Sequence, residues 1–161
     1  MAMLRRLDIS KNLPFVAGKR PQRTKTRMQI LNPPDWARPK GYSNGIKARG
    51  ELVFLAGLVG WNAAEVFETD DFTGQARRIF ESAVALLAEA GAGPEHIVRM
   101  TWFVLDKDEY LASLQNLGAA YRDVIGRHYP AMSVVQVAGL IEPGAKLEIE
   151  ITAVVPDDPA D

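Results

Sequence analysis

DDFTGQARRIFESAVALLAEAGAGPEHIVRMTWFVL, Asp70 to Leu105, is the stretch that decides the fold. Phe72, Ala76, Ile79, Phe80, Ala83, Val84, Leu87 and Ala90 recur at three- and four-residue steps, the spacing of a helix with one apolar face. Asp70 and Asp71 provide an N-cap and a first-turn acid, and Gly91 followed by Gly93-Pro94 closes the element. Ile97 to Leu105 then changes character. It is rich in β-branched and aromatic residues and reads as a strand.

Downstream, Asp106 or Asp108 caps a second helix carrying Leu111, Leu114, Leu117, Tyr121, Val124 and Ile125, which ends at Gly126. Ser133–Ala138 is expected as a strand, Glu142-Pro143-Gly144 as a turn, and Lys146–Val155 as the last strand. Upstream, Asn32 to Pro39 is extended or turn-like, Tyr42–Arg49 is a short strand, and Leu52–Val59 is a nearly unbroken apolar strand. Gly57 and Gly60 near its end point to a bend or a close backbone approach. The order is ββαβαββ: an α/β chain of the α+β kind, with a mixed sheet and two helices on one face. In the last strand Leu147, Ile149 and Ile151 alternate with Lys146, Glu148 and Glu150, giving one apolar and one carboxylate-bearing face. Leu52–Val59 and Ile97–Leu105 are apolar on both faces. The side away from the helices therefore needs cover, and self-association supplies it.

A length of 161 residues, 47% of them hydrophobic, suits one domain with its own core. Cysteine is absent, which excludes disulfides, thiolate metal sites and a cysteine nucleophile, and two histidines disfavour a His-rich metal site. No apolar run reaches the roughly 20 residues of a membrane span, so a soluble, cytoplasmic protein is expected. The net charge of −1 hides an asymmetry. Before Met28 stand eight bases and one acid, net +7; from Met28 onward eleven bases face nineteen acids, net −8. Residues 1–27 read as a basic flexible arm, 28–155 as the domain, and 156–161 as an acidic tail. The arm is either a tether or targeting peptide or an extension with little role; the acidic body disfavours nucleic acid as a partner.

No Gly-x-Ser-x-Gly elbow, phosphate loop or interleaving of aromatics with bases occurs. Glu148 stands out as a carboxylate between Leu147 and Ile149, able to orient water or exchange protons, or else simply a solvated strand position. Tyr42 offers a phenol to a pocket, or a half-buried ring with a satisfied hydroxyl. His128 follows a helix end, where the dipole favours a cation for structural reasons alone, and His96 has no assigned role.

Taken together, Tyr42-Ser43-Asn44-Gly45, Leu52 to Gly57, Gln75, Ala90-Gly91, Ile97 to Val104, Tyr121, Pro130-Ala131-Met132-Ser133 and Lys146 to Glu150 resemble the YjgF/RidA family, also called the endoribonuclease L-PSP or enamine/imine deaminase family. The resemblance spans Tyr42 to Val155. It implies a chorismate-mutase-like domain and a homotrimer with ligand clefts between subunits, working without metal or organic cofactor. In that family a Pro-Ala-Arg-Ser arginine clamps a substrate carboxylate; here the position is Met132. The family Ser-Gly-Gln becomes Ala56-Gly57-Leu58, an asparagine on the second helix becomes Gly118, and a frequent cysteine becomes Val134. Tyr42, Gly57 and Glu148 are retained, the last at the position thought to position water. The Trp61 region and His128-Tyr129-Pro130-Ala131 also resemble the 2-aminomuconate deaminases, relatives serving aromatic-ring breakdown.

The resemblance implies a hydrolytic enamine or imine deaminase in an intersubunit cleft, with Glu148 and Tyr42 as catalytic residues. Gly57, Leu58, Trp61, Met132, Val134 and His128 are the expected ligand-binding residues. An acidic substrate would need a replacement cation, and Arg127, His128 and Arg99 are the candidates. The alternatives are a non-catalytic small-molecule binder on the same cleft, which an apolar Met132 would suit, and a ribonuclease, which rests on the family's older name alone.

Overall fold

In the computed structural model, which describes residues 28–157, the Asp71 carboxylate accepts from the Gly74 N–H at 2.7 Å and opens an 18-residue helix, Phe72–Glu89. The second long helix, Lys107–Val124, starts at Asp106, which accepts from the N–H groups of Asp108 and Glu109 at 2.8 and 3.0 Å. Those two bonds favour the charged carboxylate and hold Asp106 below its usual range. Of the two caps expected from the sequence, Asp106 is the one used. Gly91 and Gly126, with φ of 65° and 89°, end the helices in the left-handed conformation that a side chain would oppose.

In chain order the elements are β1 (Gln29–Leu31), β2 (Gly45–Lys47), β3 (Glu51–Val59), α1 (Phe72–Glu89), β4 (Ile97–Val104), α2 (Lys107–Val124), β5 (Ala131–Gln136) and β6 (Leu147–Val155). The main sheet has the order β3-β6-β4-β5. β3 and β4 each run antiparallel to β6, while β5 runs parallel to β4, as the α2 crossover requires. The mixed sheet and two helices agree with the expected α+β architecture.

Three elements differ by two residues or more from the reading of the sequence. β1 was unforeseen; its three residues pair with β2 in a separate small sheet, a non-local contact that no local pattern announces. β2 is shorter than Tyr42–Arg49, because Ser43 instead bridges to Ala131 beside the main sheet. β5 begins at Ala131 rather than Ser133, since Met132 aligns with Met100 on the inner face of β4.

The core lies between the helices and the inner rows of the sheet. Met100, Trp102 and Val104 of β4 align with Ile151, Ile149 and Leu147 of β6, and all six are buried against Phe72, Ile79 and Phe80 of α1. In β3 the register shifts between Leu55 and Leu58, so that both leucines pack on the core although three residues apart. Ahead of that bulge, Val53 and Leu55 pack on the core while Leu52 and Phe54 are exposed, so the strand lacks alternation because both of its faces are apolar. Gln75 of α1 is fully buried: its amide donates to the Thr69 and Gly144 carbonyls at 3.0 and 2.9 Å, and its oxygen accepts from the Lys146 N–H at 2.9 Å. Gly60 leaves room for it, since a Cβ there would lie 2.5 Å from the Gln75 Cβ.

Candidate functional site: an aromatic cavity and a separate carboxylate face

Between α2 and the β4–β5 edge lies a cavity of about 560 Å³. Its sheet wall is Trp102, Met132 and Val134, adjacent on β4 and β5 through the pairings Trp102 with Val134 and Met100 with Met132. Its helix wall is Tyr110, Leu114, Leu117, Gly118, Tyr121 and Arg122. Tyr42 and Tyr129 complete it, with Lys40 and Gly41 at the entrance. The chain has four tyrosines, and all four line this cavity.

The aromatic walls are held in place by one another and by main-chain contacts. Tyr121 stacks on Tyr129 with centroids 5.7 Å apart and meets Phe80 edge-on at 5.4 Å; Phe80 in turn lies 5.6 Å from Trp102. The Tyr121 hydroxyl donates to the His128 carbonyl at 2.7 Å. His128 Nε2 bonds the Ile97 carbonyl at 2.6 Å, and since a carbonyl only accepts, Nε2 carries the hydrogen. Ser43 ties the Tyr42 segment alongside β5: its N–H donates to the Pro130 carbonyl at 2.9 Å and its hydroxyl to the Tyr129 carbonyl at 2.6 Å. Burial raises the pKa values of Tyr110 and Tyr121, and for Tyr121 the neighbouring Tyr129 adds to the effect, so both phenols remain neutral donors. A recess of about 270 Å³ shares Tyr42 and Met132 with the cavity and places Arg99 and Ser133 beside them.

Glu148 lies on the other face of the same sheet. It aligns with Val59 on one side and Phe103 on the other, and a Cβ at Gly57 would come within 1.7 Å of its Oε1. Gly57 is thus the floor on which the carboxylate rests, the close approach expected of this glycine. Nearby on that face Leu52 and Phe54 are 57% and 70% exposed, and among the described residues no helix covers them.

The expected site residues fall into three groups. Tyr42, Met132 and Val134 gather at the aromatic cavity. Gly57 and Glu148 gather on the open face. Leu58 packs on the core, Trp61 meets Phe67 at a tilt of 47° with centroids 5.9 Å apart, and His128 anchors the loop behind the Tyr121–Tyr129 pair; none of these three lines the cavity. Arg99 reaches the smaller recess, whereas Arg127 lines neither hollow. Sequence reasoning passed over Trp102, Tyr110, Tyr129, Lys40 and Arg122. The clustering of three tyrosines between positions 110 and 129 was the one visible signal. Among the described residues no group of three or more His, Asp or Glu side chains is placed to hold a metal ion, and no helix is long and apolar enough to cross a membrane.

The fold and the residues can be set beside known proteins. The family model described as endoribonuclease L-PSP matches residues 35–155. A Myxococcus xanthus protein named DfrA is 32% identical over 119 residues, covering 70% of this chain and 84% of the relative. An Escherichia coli K12 protein named "Putative reactive intermediate deaminase TdcF" is 32% identical over 105 residues, covering 65% and 80%. Among solved structures, the Rid family protein YyfB from Yersinia pestis superposes with a TM-score of 0.71 at 27% identity, over 80% of this chain and 98% of that one. RidA from Psychrobacter gives 0.57 at 26% identity, over 79% and 99%. With its β3-β6-β4-β5 sheet, its paired helices and a match across three quarters of its length, the chain belongs to the YjgF/RidA family, the family described as endoribonuclease L-PSP.

Proposed function

We propose that this chain is a hydrolytic deaminase of a reactive enamine or imine. In this reading it is a cytoplasmic, cofactor-free homotrimer, in which the Glu148–Gly57 face of one copy completes the aromatic cavity of another. Family membership supports a reactive-intermediate-deaminase role at the coarse level. The observation that carries the finer reading is the division of the candidate residues between two faces of one sheet. Tyr42, Met132 and Val134 stand on one face, and Glu148 rests against Gly57 on the other, beside exposed Leu52 and Phe54. A single copy holds both halves but does not join them. A second copy seated on the apolar face would.

Hydrolysis of an imine adds water to the C=N carbon, and the resulting carbinolamine breaks to a carbonyl compound and ammonia. Glu148 takes a proton from the attacking water and returns it to the leaving nitrogen, so one carboxyl serves both steps. An enamine enters the same path after protonation at carbon. Tyr42 lines the cleft and orients the ligand, while the buried tyrosines exclude water from its body. An aminomuconate-like intermediate, conjugated and acidic, belongs to the substrate class considered.

The second reading, a small-molecule binder without turnover, is favoured by Met132, which replaces the family's carboxylate clamp with an apolar wall. A ribonuclease is the least supported, given a body of net charge −8. The test is ammonia release from freshly generated enamines and imines, 2-aminomuconate included. The parent should exceed buffer, and Glu148→Gln should be slower by about 10²–10⁴-fold, the usual contribution of general acid–base catalysis. Ligand-dependent thermal stabilisation with no turnover on any substrate would move the assignment to the binder.

A further inference from the structure

Thirteen described residues line the aromatic cavity, and their charges are one-sided: Lys40 and Arg122 are cations, and no Asp or Glu is among them. Neither cation has a carboxylate partner among the described residues, whereas Arg77, Arg78 and Lys146 are each paired. The placement of Arg122 is specific. It sits in the last turn of α2, four residues after Gly118, and a Cβ at position 118 would lie 3.3 Å from its Nη1. With no side chain at 118, the guanidinium lies back along the helix over the cavity wall. A base near a helix C-terminus is favoured by the dipole alone. That preference does not direct the side chain toward the cavity, and the missing side chain at 118 does.

The body of the cavity has the opposite chemistry. Five of its walls are the aromatic rings of Tyr42, Trp102, Tyr110, Tyr121 and Tyr129. Trp102 is 3% exposed, and its indole Nε1 is the one buried side-chain polar atom among the described residues that lacks a hydrogen-bond partner. Flat π-faces on several sides suit a flat ligand, because offset or edge-on contacts need a planar partner.

We infer that the cavity takes a planar, conjugated carboxylate, with its unsaturated chain among the tyrosines and its carboxylate on the Arg122 guanidinium, assisted by Lys40. The assignment rests on the proposed function in placing an acidic, conjugated ligand in this cavity, and it deepens that proposal by naming the cation that holds the carboxylate. The guanidinium is contributed by α2 instead of β5. A planar fork that grips a carboxylate through two hydrogen bonds is regained from a different element.

Sorbate, a conjugated six-carbon carboxylate, tests this against two near-isosteres: sorbamide, which is neutral, and hexanoate, which is saturated. Titration of the full chain at low salt, followed by calorimetry or tryptophan fluorescence, should show sorbate bound at least tenfold more tightly than either. Arg122→Gln should erase the preference for sorbate over sorbamide while sorbamide binding persists. Arg127→Gln, an equal change of charge outside the cavity, should keep the preference. Equal binding of sorbate and sorbamide by the parent overturns the inference, and so does an Arg122→Gln protein that still prefers the acid. Because Arg122 is exposed, the variant is expected to fold, and circular dichroism checks it. The two proposals fail separately. Selective sorbate binding without ammonia release sinks the deaminase and leaves the ligand class standing. Turnover of an acidic enamine with KM unchanged in Arg122→Gln sinks the cation assignment and leaves the deaminase standing.

Discussion

The two faces of the β3-β6-β4-β5 sheet are built by opposite rules. The inner face is finished within one copy: Met100, Trp102, Ile149 and Ile151 are buried under α1 and α2, and the layer runs on into the tyrosine-lined cavity. The outer face is left open, with Phe54 and Leu52 in the solvent and Glu148 resting on the bare backbone of Gly57. Burial on the inner face sets the stability of the chain. The outer face contributes little to folding, and its apolar area is available to association. Substitutions on the two faces should therefore fail in different experiments.

The most damaging substitution belongs to the inner layer. Gln75→Leu keeps the volume and removes three hydrogen bonds, leaving the Lys146 N–H and the Thr69 and Gly144 carbonyls without their partner. Each orphaned buried group costs about 1–3 kcal/mol, so with three of them unfolding in urea should lose at least about 3 kcal/mol. A loss below about 1 kcal/mol would mean that water reaches those groups and that the inner layer is not closed. Phe54→Asp is the counterpart on the outer face. With 70% of the ring exposed, the folded single copy should be nearly indifferent to it. Association over that face should weaken by about 2–3 kcal/mol, from the lost burial of one aromatic side chain. Sedimentation at several concentrations reads the effect: a lighter, fully folded species is expected, and an unchanged mass would place the contact elsewhere.

Tyr121 joins the core to the cavity, and its pH response sharpens the comparison. Tyr121→Phe loses the 2.7 Å bond to the His128 carbonyl and should cost about 0.5–1.5 kcal/mol at neutral pH. Burial lifts the phenol above its ordinary value of 10.0, so the folded state holds a proton that the unfolded chain releases. The parent's stability is complete below pH 10 and declines as pH rises from there toward the folded value; the phenylalanine variant lacks this decline. The gap between the two should narrow above pH 10. Parallel curves to pH 11 would show the hydroxyl to be solvated.

Much of the architecture was legible because local rules and the fold agree. Apolar residues at helical spacing, Asp106 as a cap, and Gly91 and Gly126 as stops define α1 and α2 from short-range signals alone, although α1 is capped one residue later than expected, by Asp71 and not Asp70, and its first turn holds no acid. The alternation of Leu147, Ile149 and Ile151 assigns β6 its two faces in the same way. What escaped was non-local. β1 exists through its pairing with β2, and the bulge that brings Leu55 and Leu58 to one side appears only in register with β6. The candidate site divides likewise. Tyr42, Gly57, Met132, Val134 and Glu148 could be named from a motif, but that they lie on opposite faces of one sheet could not. Arg122 was missed for a related reason: on a helix it is an ordinary terminal base, and only the empty position at Gly118 gives it a direction.

Gly118→Ala, the subtlest of these changes, isolates that last point, because two effects of one methyl group have opposite signs. Gly118 lies inside α2 with no positive φ, and replacing a mid-helix glycine by alanine favours the helix by about 0.8–1.0 kcal/mol through reduced backbone entropy in the unfolded chain. The new Cβ would sit 3.3 Å from Arg122 Nη1, closer than ordinary contact, and the end of a flexible side chain yields more readily than the helix does. The variant should therefore melt a few degrees higher while binding sorbate severalfold more weakly, with sorbamide unaffected. A rise in stability with unchanged sorbate affinity would show that Arg122 does not depend on the gap at 118, and would break the link between this glycine and the cavity. A gain in stability paired with a loss of anion binding would identify Gly118 as a position where helix stability has been given up for the direction of one guanidinium.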